Sequence, residues 1–160
     1  LNIKFYIMIT LNNIENVQKE WGDSLVKLGS LKSNKEACNN EAESLINRLY
    51  GYNNGTVLFK PTKAKDNQFR LTFEGAKSYF IGENSDFSED KGFALQPWTN
   101  VRFENASVIL NDNTATAMGN YFFTQTNGIV VKVEYTFGYF LNEKNDLKIN
   151  VHHSSLPYVS

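Results

Sequence analysis

The stretch Val130-Val131-Lys132-Val133-Glu134-Tyr135-Thr136-Phe137-Gly138-Tyr139-Phe140-Leu141 decides the fold. Val131, Val133, Tyr135, Phe137 and Tyr139 share one parity; Lys132, Glu134, Thr136 and Gly138 share the other. Successive side chains of a strand point to opposite faces. The pattern therefore predicts a strand with one wet face and one that is buried or lines a cavity. Turn clusters surround it: Asn111-Asp112-Asn113, Thr126-Asn127-Gly128 and Asn142 to Asp146. Between them lie further strands at roughly Thr99 to Leu110, Thr114 to Thr124 and Leu147 to Ser155, an antiparallel meander. In the last of these, Leu147, Ile149 and Val151 fall on one face and Lys148 and Asn150 on the other. Continuing the count puts His153 and Ser155 on the apolar face, and His152 and Ser154 on the polar one.

Toward the N-terminus the period changes. Ile14, Val17, Trp21, Leu25 and Leu28 recur at spacings of three and four, one apolar helix stripe with Asn12 or Asn13 as N-cap. Ser33 or Asn34 caps a second helix that buries Ala37, Cys38, Ala42, Leu45, Ile46 and Leu49, and Gly51 with Asn53-Asn54-Gly55 ends it. Thr56 to Phe59 reads as a strand stopped by Pro61, Gln68 to Thr72 as a second short strand, and Glu74 to Ile81 as a short helix closed by Gly82. Helices first and a meander last indicate an α+β domain. Residues 12–160 form that single domain, and residues 1–11 an N-terminal extension. The apolar run Leu1 to Leu11 is well short of the roughly 20 residues that span a bilayer, and lacks a charged start and a cleavage site. It reads as an upstream extension with Met8 as the natural start, or as a signal-peptide remnant.

Charge and composition exclude several function classes. With 16 Lys+Arg against 17 Asp+Glu, the net charge of -1 argues against nucleic-acid binding. The single cysteine, Cys38, has no intrachain disulfide partner. His152 and His153 are the only histidines, and as strand neighbours they point apart. A metal site rich in His or Cys is therefore nearly excluded, whereas one of carboxylates and waters is not. Aromatics make up 14% of the chain, which demands a large apolar interior or a lined cavity.

The candidate chemistry sits in Val151-His152-His153-Ser154-Ser155-Leu156-Pro157, which puts an imidazole and a hydroxyl on the inner face of a strand. Read conservatively, it is a strand end with a hydrogen-bonded histidine. Thr62 reads equally as a turn cap, and Tyr79 as a core tyrosine with a tethered hydroxyl. Asp86, Glu89 and Asp90 form an acidic cluster, best read as a solvated loop and second as a metal site. Lys60, Lys63 and Lys65 read as surface solvation. Phosphate-loop, dinucleotide, HExxH, CxxC and GxSxG motifs do not occur.

Six strings together carry a resemblance. They are Val57 to Thr62 (VLFKPT), Gly75 to Phe80 (GAKSYF), Lys91 to Trp98 (KGFALQPW), Ala117 to Phe123 (AMGNYFF), Val133 to Phe140 (VEYTFGYF) and His152 to Pro157 (HHSSLP). They resemble the iota-class carbonic anhydrases, relatives of the association domain of calcium/calmodulin-dependent protein kinase II. The resemblance covers about Trp21 to Tyr158. It implies a cystatin-like cone of the nuclear transport factor 2 superfamily, with helices packed on a strongly curved antiparallel sheet around a pocket. It also implies reversible hydration of CO2 to bicarbonate. Cyanobacterial and some algal members work without a metal, while a diatom member is linked to manganese; no cofactor is expected here.

In that family Thr, Tyr and Ser hydroxyls near a histidine hold bicarbonate. Carried over, they fall on Thr62, Tyr79 and the HHSSLP string, where parity selects His153 and Ser155, with His152 and Ser154 as the fallback pair. The hydroxyls act as donors to the nascent bicarbonate and His153 as base or relay. The expected partners are CO2 and bicarbonate and a second copy of the chain, as homodimer or higher homo-oligomer, with no nucleic acid and no membrane. The expected location is the cytoplasm of a bacterium or cyanobacterium, with periplasm or plastid as alternatives. A non-enzymatic oligomerisation hub or ligand-binding module is the rival within the same fold. An isomerase or dehydratase of the cone superfamily wants an inward carboxylate, and the last four strands offer few.

Overall fold

A computed structural model describes residues 7–160 of the chain. The N-terminal half is helical. Helix α1 (Leu11–Ser30) starts at Thr10, whose hydroxyl accepts from Asn13 N while the Asn13 side chain accepts from Thr10 N. The cap thus falls two to three residues before the expected asparagines. Ile14, Trp21, Leu25 and Leu28 form its buried stripe. Helix α2 (Lys35–Leu49) is capped by Asn34 and buries Cys38, Ala42, Leu45, Ile46 and Leu49. Strand β1 (Leu58–Lys60) follows, then helix α3 (Phe73–Ile81), which Thr72 caps and Gly82 closes at φ 71°. That left-handed conformation is one a glycine adopts freely.

Four long strands complete the chain: β2 (Trp98–Asn111), β3 (Thr114–Gln125), β4 (Val130–Leu141) and β5 (Leu147–Ser155). The sheet order is β1-β5-β4-β3-β2, with β1 parallel to β5 and the other pairs antiparallel. It is one five-stranded mixed sheet, not a closed barrel. Val133, Tyr135, Phe137 and Tyr139 of β4 are buried, as are Ala115, Ala117, Tyr121 and Phe123 of β3. These form one core with the helix stripes.

Three bulges bend the sheet: one at Thr99 near the start of β2, and two that each face a glycine. In β2 the pairs Asn105↔Gly119 and Ser107↔Met118 leave Ala106 unpaired. In β5 the pairs Tyr139↔Ile149 and Gly138↔Val151 leave Asn150 unpaired. A Cβ on Gly138 would lie 2.9 Å from both Asn150 Oδ1 and Val151 Cβ, so the bare glycine makes room for the extra residue.

The Asn150 bulge shifts the parity of everything after it. Ile149 is buried, and so are His152 and Ser154, three and five residues on. His153 is exposed and Ser155 half-buried on the outer face. The alternation count, which assumes an unbroken ladder, therefore points the wrong pair inward.

Two other expectations change. Gln68 to Thr72 is not a strand; Arg70 N makes a single ladder-like bond to Phe59 O at 2.7 Å, and the buried Arg70 side chain organises the segment instead. Lys148 is not on a wet face. It is buried and donates to Asn47 O and Arg48 O at 2.9 and 2.7 Å, a cation on the C-terminal carbonyls of α2. In the stretch assigned as an extension, Ile9 is buried and its N–H bonds Asp112 O at 2.9 Å. Residues 1–6 of that stretch lie outside the described residues. Among the described residues, no helix is long and apolar enough to cross a membrane.

Candidate active site

His152 lies at the centre of the cone, fully enclosed. Its imidazole is stacked between Phe59 of β1, at 4.5 Å, and Phe137 of β4, at 4.1 Å, with Trp21 of α1 edge-on at 5.5 Å. The register explains the sandwich, because Phe59 and Phe137 are the cross-strand partners of His152 on either side. Both ring nitrogens are engaged. Nδ1 meets the Tyr50 hydroxyl at 2.8 Å; Nε2 meets Ser154 Oγ at 3.1 Å and Tyr121 Oη at 3.2 Å. Tyr121 and Ser154 also bond each other. Burial, aided by the nearby His153, holds the His152 pKa well below its ordinary 6.5. The imidazole is therefore neutral at physiological pH.

Thr62 and Tyr79 complete the cluster. Thr62 follows β1 in a turn and is half-buried. Its hydroxyl lies beside the Tyr79 and Tyr121 phenols and favours the ionised form of each. Burial outweighs that influence and pushes both phenols well above their ordinary range. Tyr79, from α3, also accepts from Lys63 N at 3.4 Å. The phenols therefore stay protonated as donors. The constellation is four hydroxyls and a neutral imidazole, with no charge on any of them.

A buried arginine anchors the two segments that carry Thr62 and Tyr79. Arg70 is fully buried and forks onto Asp90 with bonds of 2.6 and 2.7 Å. It reaches Gly75 O at 3.0 Å, at the start of α3, while Ser78 donates to Asp90 at 2.6 Å. Glu89 bonds Arg70 at 3.2 Å and accepts from Lys65 N and Asp66 N at 3.0 and 2.6 Å. Glu89 and Asp90 are thus counter-ions of Arg70, not a solvated acidic loop.

Of the residues expected at the site, the structure gathers Thr62 and Tyr79 and leaves two outside. His153 stands on the outer face opposite Thr136 and Lys60. Ser155 donates to Glu134 Oε2 at 3.1 Å on that same face. Their places are taken by His152 and Ser154. Tyr121 belongs to the cluster, and Tyr50 bonds His152 from behind it; both are missed by sequence reasoning, and Tyr121 lies within the AMGNYFF string, on the buried parity of its strand. The interior is not an open funnel, since aromatic rings fill it around His152. A cavity of about 500 Å³ opens at the mouth, with Tyr79, Phe93, Lys63, Lys91 and Gln96 in its wall. Among the described residues, no three or more His, Cys, Asp or Glu side chains converge where they could hold a metal ion.

With this geometry in place, known proteins are informative. The family model for metal-independent carbonic anhydrase matches residues 12–156. The metal-independent carbonic anhydrase of Nostoc sp. is 41% identical over 153 residues, covering 94% of this chain and 75% of that protein. The crystal structure of the iota-carbonic anhydrase from a cyanobacterium, complexed with bicarbonate, superposes with a TM-score of 0.93 at 38% identity. That match covers 100% of this chain and 99% of the other. A protein from Xanthomonas campestris, described as a calcium/calmodulin-dependent protein kinase II association domain, superposes at 0.60 with 21% identity over 98% of this chain and 100% of its own. It shares the fold alone. The chain belongs to the metal-independent, iota-class carbonic anhydrases.

Proposed function

We propose that this chain catalyses the reversible hydration of CO2 to bicarbonate and a proton at the cluster of Thr62, Tyr79, Tyr121, His152 and Ser154. The observation that carries the reading is one neutral, fully engaged imidazole that holds Ser154 and Tyr121 inside an aromatic shell, with Thr62 and Tyr79 beside Tyr121. The carbon of CO2 accepts the oxygen of water; one C–O bond forms as a C=O π bond opens, negative charge grows on the CO2 oxygens, and an O–H bond of the water breaks, its proton leaving to solvent. A site without a charged group stabilises that charge by fixed dipoles. Hydroxyls held in place before the reaction need no reorganisation, and the surrounding rings keep out the bulk water that would screen them. Tyr79, Thr62 and the Ser154–Tyr121 pair take this oxyanion-hole role, and His152 holds that pair in position.

The test is stopped-flow CO2 hydration after exhaustive chelation. The rate should survive chelation, fall by about 10²–10³ in Ser154→Ala, the usual cost of one such donor, and persist in Ser155→Ala. Loss of activity on chelation, or damage confined to Ser155→Ala, overturns the reading.

A homodimer is part of the same proposal. Ile109, Met118 and Val130 stand exposed, a surface suited to a second copy. Light scattering should report twice the chain mass of 18.2 kDa; the single-chain mass at working concentration overturns it. The Nostoc relative suits a bacterial cell as the setting, and the cytoplasm is the compartment we propose there.

A further inference from the structure

Behind His152, on the side away from Ser154, lies a polar pair that the reaction does not touch. Trp21 Nε1 donates to Tyr50 Oη at 2.9 Å, and Tyr50 Oη meets His152 Nδ1 at 2.8 Å. All three residues are buried. An indole nitrogen only donates, so it fills a lone pair of the Tyr50 oxygen and offers nothing to the Tyr50 proton. The acceptor left to that proton is His152 Nδ1.

We propose that Tyr50, its hydroxyl turned by Trp21, is a positioning residue that fixes His152 in the tautomer with the proton on Nε2. The inference rests on the carbonic anhydrase reading only for its consequence, not for the tautomer itself. In the opposite tautomer Nδ1 would carry the proton and point it at Tyr50, leaving the buried Tyr50 proton without an acceptor. Such an orphan disfavours that form roughly 5- to 150-fold.

Counting protons gives the consequence. Nε2, Ser154 Oγ and Tyr121 Oη form a mutually bonded triangle. With the proton on Nε2, the triangle holds three protons. Nε2 donates to one hydroxyl and one hydroxyl donates to the other, so one O–H remains free for a bicarbonate oxygen. With Nε2 bare, one hydroxyl must donate to it and the second to the first, and none is left over. Trp21 and Tyr50 thus make His152 a donor that releases a hydroxyl proton toward substrate, instead of a base that takes one.

The experiment is long-range ¹H–¹⁵N NMR of histidine-labelled protein, which reports which ring nitrogen is protonated without reference to activity. Wild-type His152 should show the Nε2–H form alone. Tyr50→Phe removes the bias and should populate both tautomers, with kcat falling in proportion to the remaining Nε2–H fraction, about 2-fold when the two forms are equal. Tyr139→Phe, which deletes another buried hydroxyl remote from His152, should keep the single form. A wild-type Nδ1–H signal overturns the proposal even if no variant folds; so does Tyr50→Phe with an unchanged tautomer. A wild-type Nε2–H signal in a protein without CO2 hydration upholds the tautomer and overturns the function, so the two readings fail separately.

Discussion

His152 ties the chemistry of the site to the stability of the fold. In the unfolded chain its imidazole titrates near 6.5; in the folded chain the same group is packed between two phenylalanine rings and its pKa lies well below that value. Between the two values the unfolded chain binds a proton that the folded chain does not. Stability from this group is therefore complete above about pH 6.5 and is lost as pH falls toward the folded pKa. Each pH unit in that window removes up to about 1.4 kcal/mol. Urea unfolding between about pH 5 and 6.5 should show this slope, and His152→Asn should flatten it. Glu89, held below its usual range by the Asp66 and Lys65 backbone N–H groups, loses its contribution only at lower pH, so this window isolates the imidazole. An identical slope in wild type and variant would mean that His152 titrates normally in the fold.

At the scale of elements, what a single stretch encodes is legible and what needs two stretches is not. The limits of β4 and β5 match the alternation and turn chemistry, because a strand's faces and its flanking Asn-Gly and Asn-Asp turns are local. The helix stripes are legible for the same reason. The inward member of the HHSS string depends on Asn150 being squeezed out of the ladder opposite Gly138, a property of two strands at once. Gly138, and Gly119 opposite the Ala106 bulge, were the available signals, since a glycine inside a strand pattern marks a bulge or a close approach. Thr62 and Tyr79 are legible only through the family strings; as isolated residues they read as a turn cap and a core tyrosine. Arg70 leaves no periodic trace at all. It sits in an irregular segment, and its partners Asp90 and Glu89 lie about twenty residues away.

At the scale of the whole molecule, Trp21 shows why the site cannot loosen on its own. From α1 its ring meets Phe80 of α3, Phe103 of β2, Tyr121 and Phe123 of β3, Phe137 of β4 and His152 of β5. Its N–H bonds Tyr50 at the end of α2. One side chain thus joins all three helices to the four long strands, and removing such a residue typically costs about 3–5 kcal/mol. Dipoles stabilise charge only while they stay aimed, so a site of neutral hydroxyls needs a scaffold that does not open locally. The fold supplies this by placing His152, Ser154 and Tyr121 of the proposed cluster at the centre of the core. At fixed protein concentration, CO2 hydration, tryptophan fluorescence and far-UV circular dichroism should therefore be lost at one urea midpoint. Activity that disappears well before the helical signal would show that α3 and the Thr62 turn detach while the sheet still stands, and the cluster would then be a surface assembly on the fold, not its core.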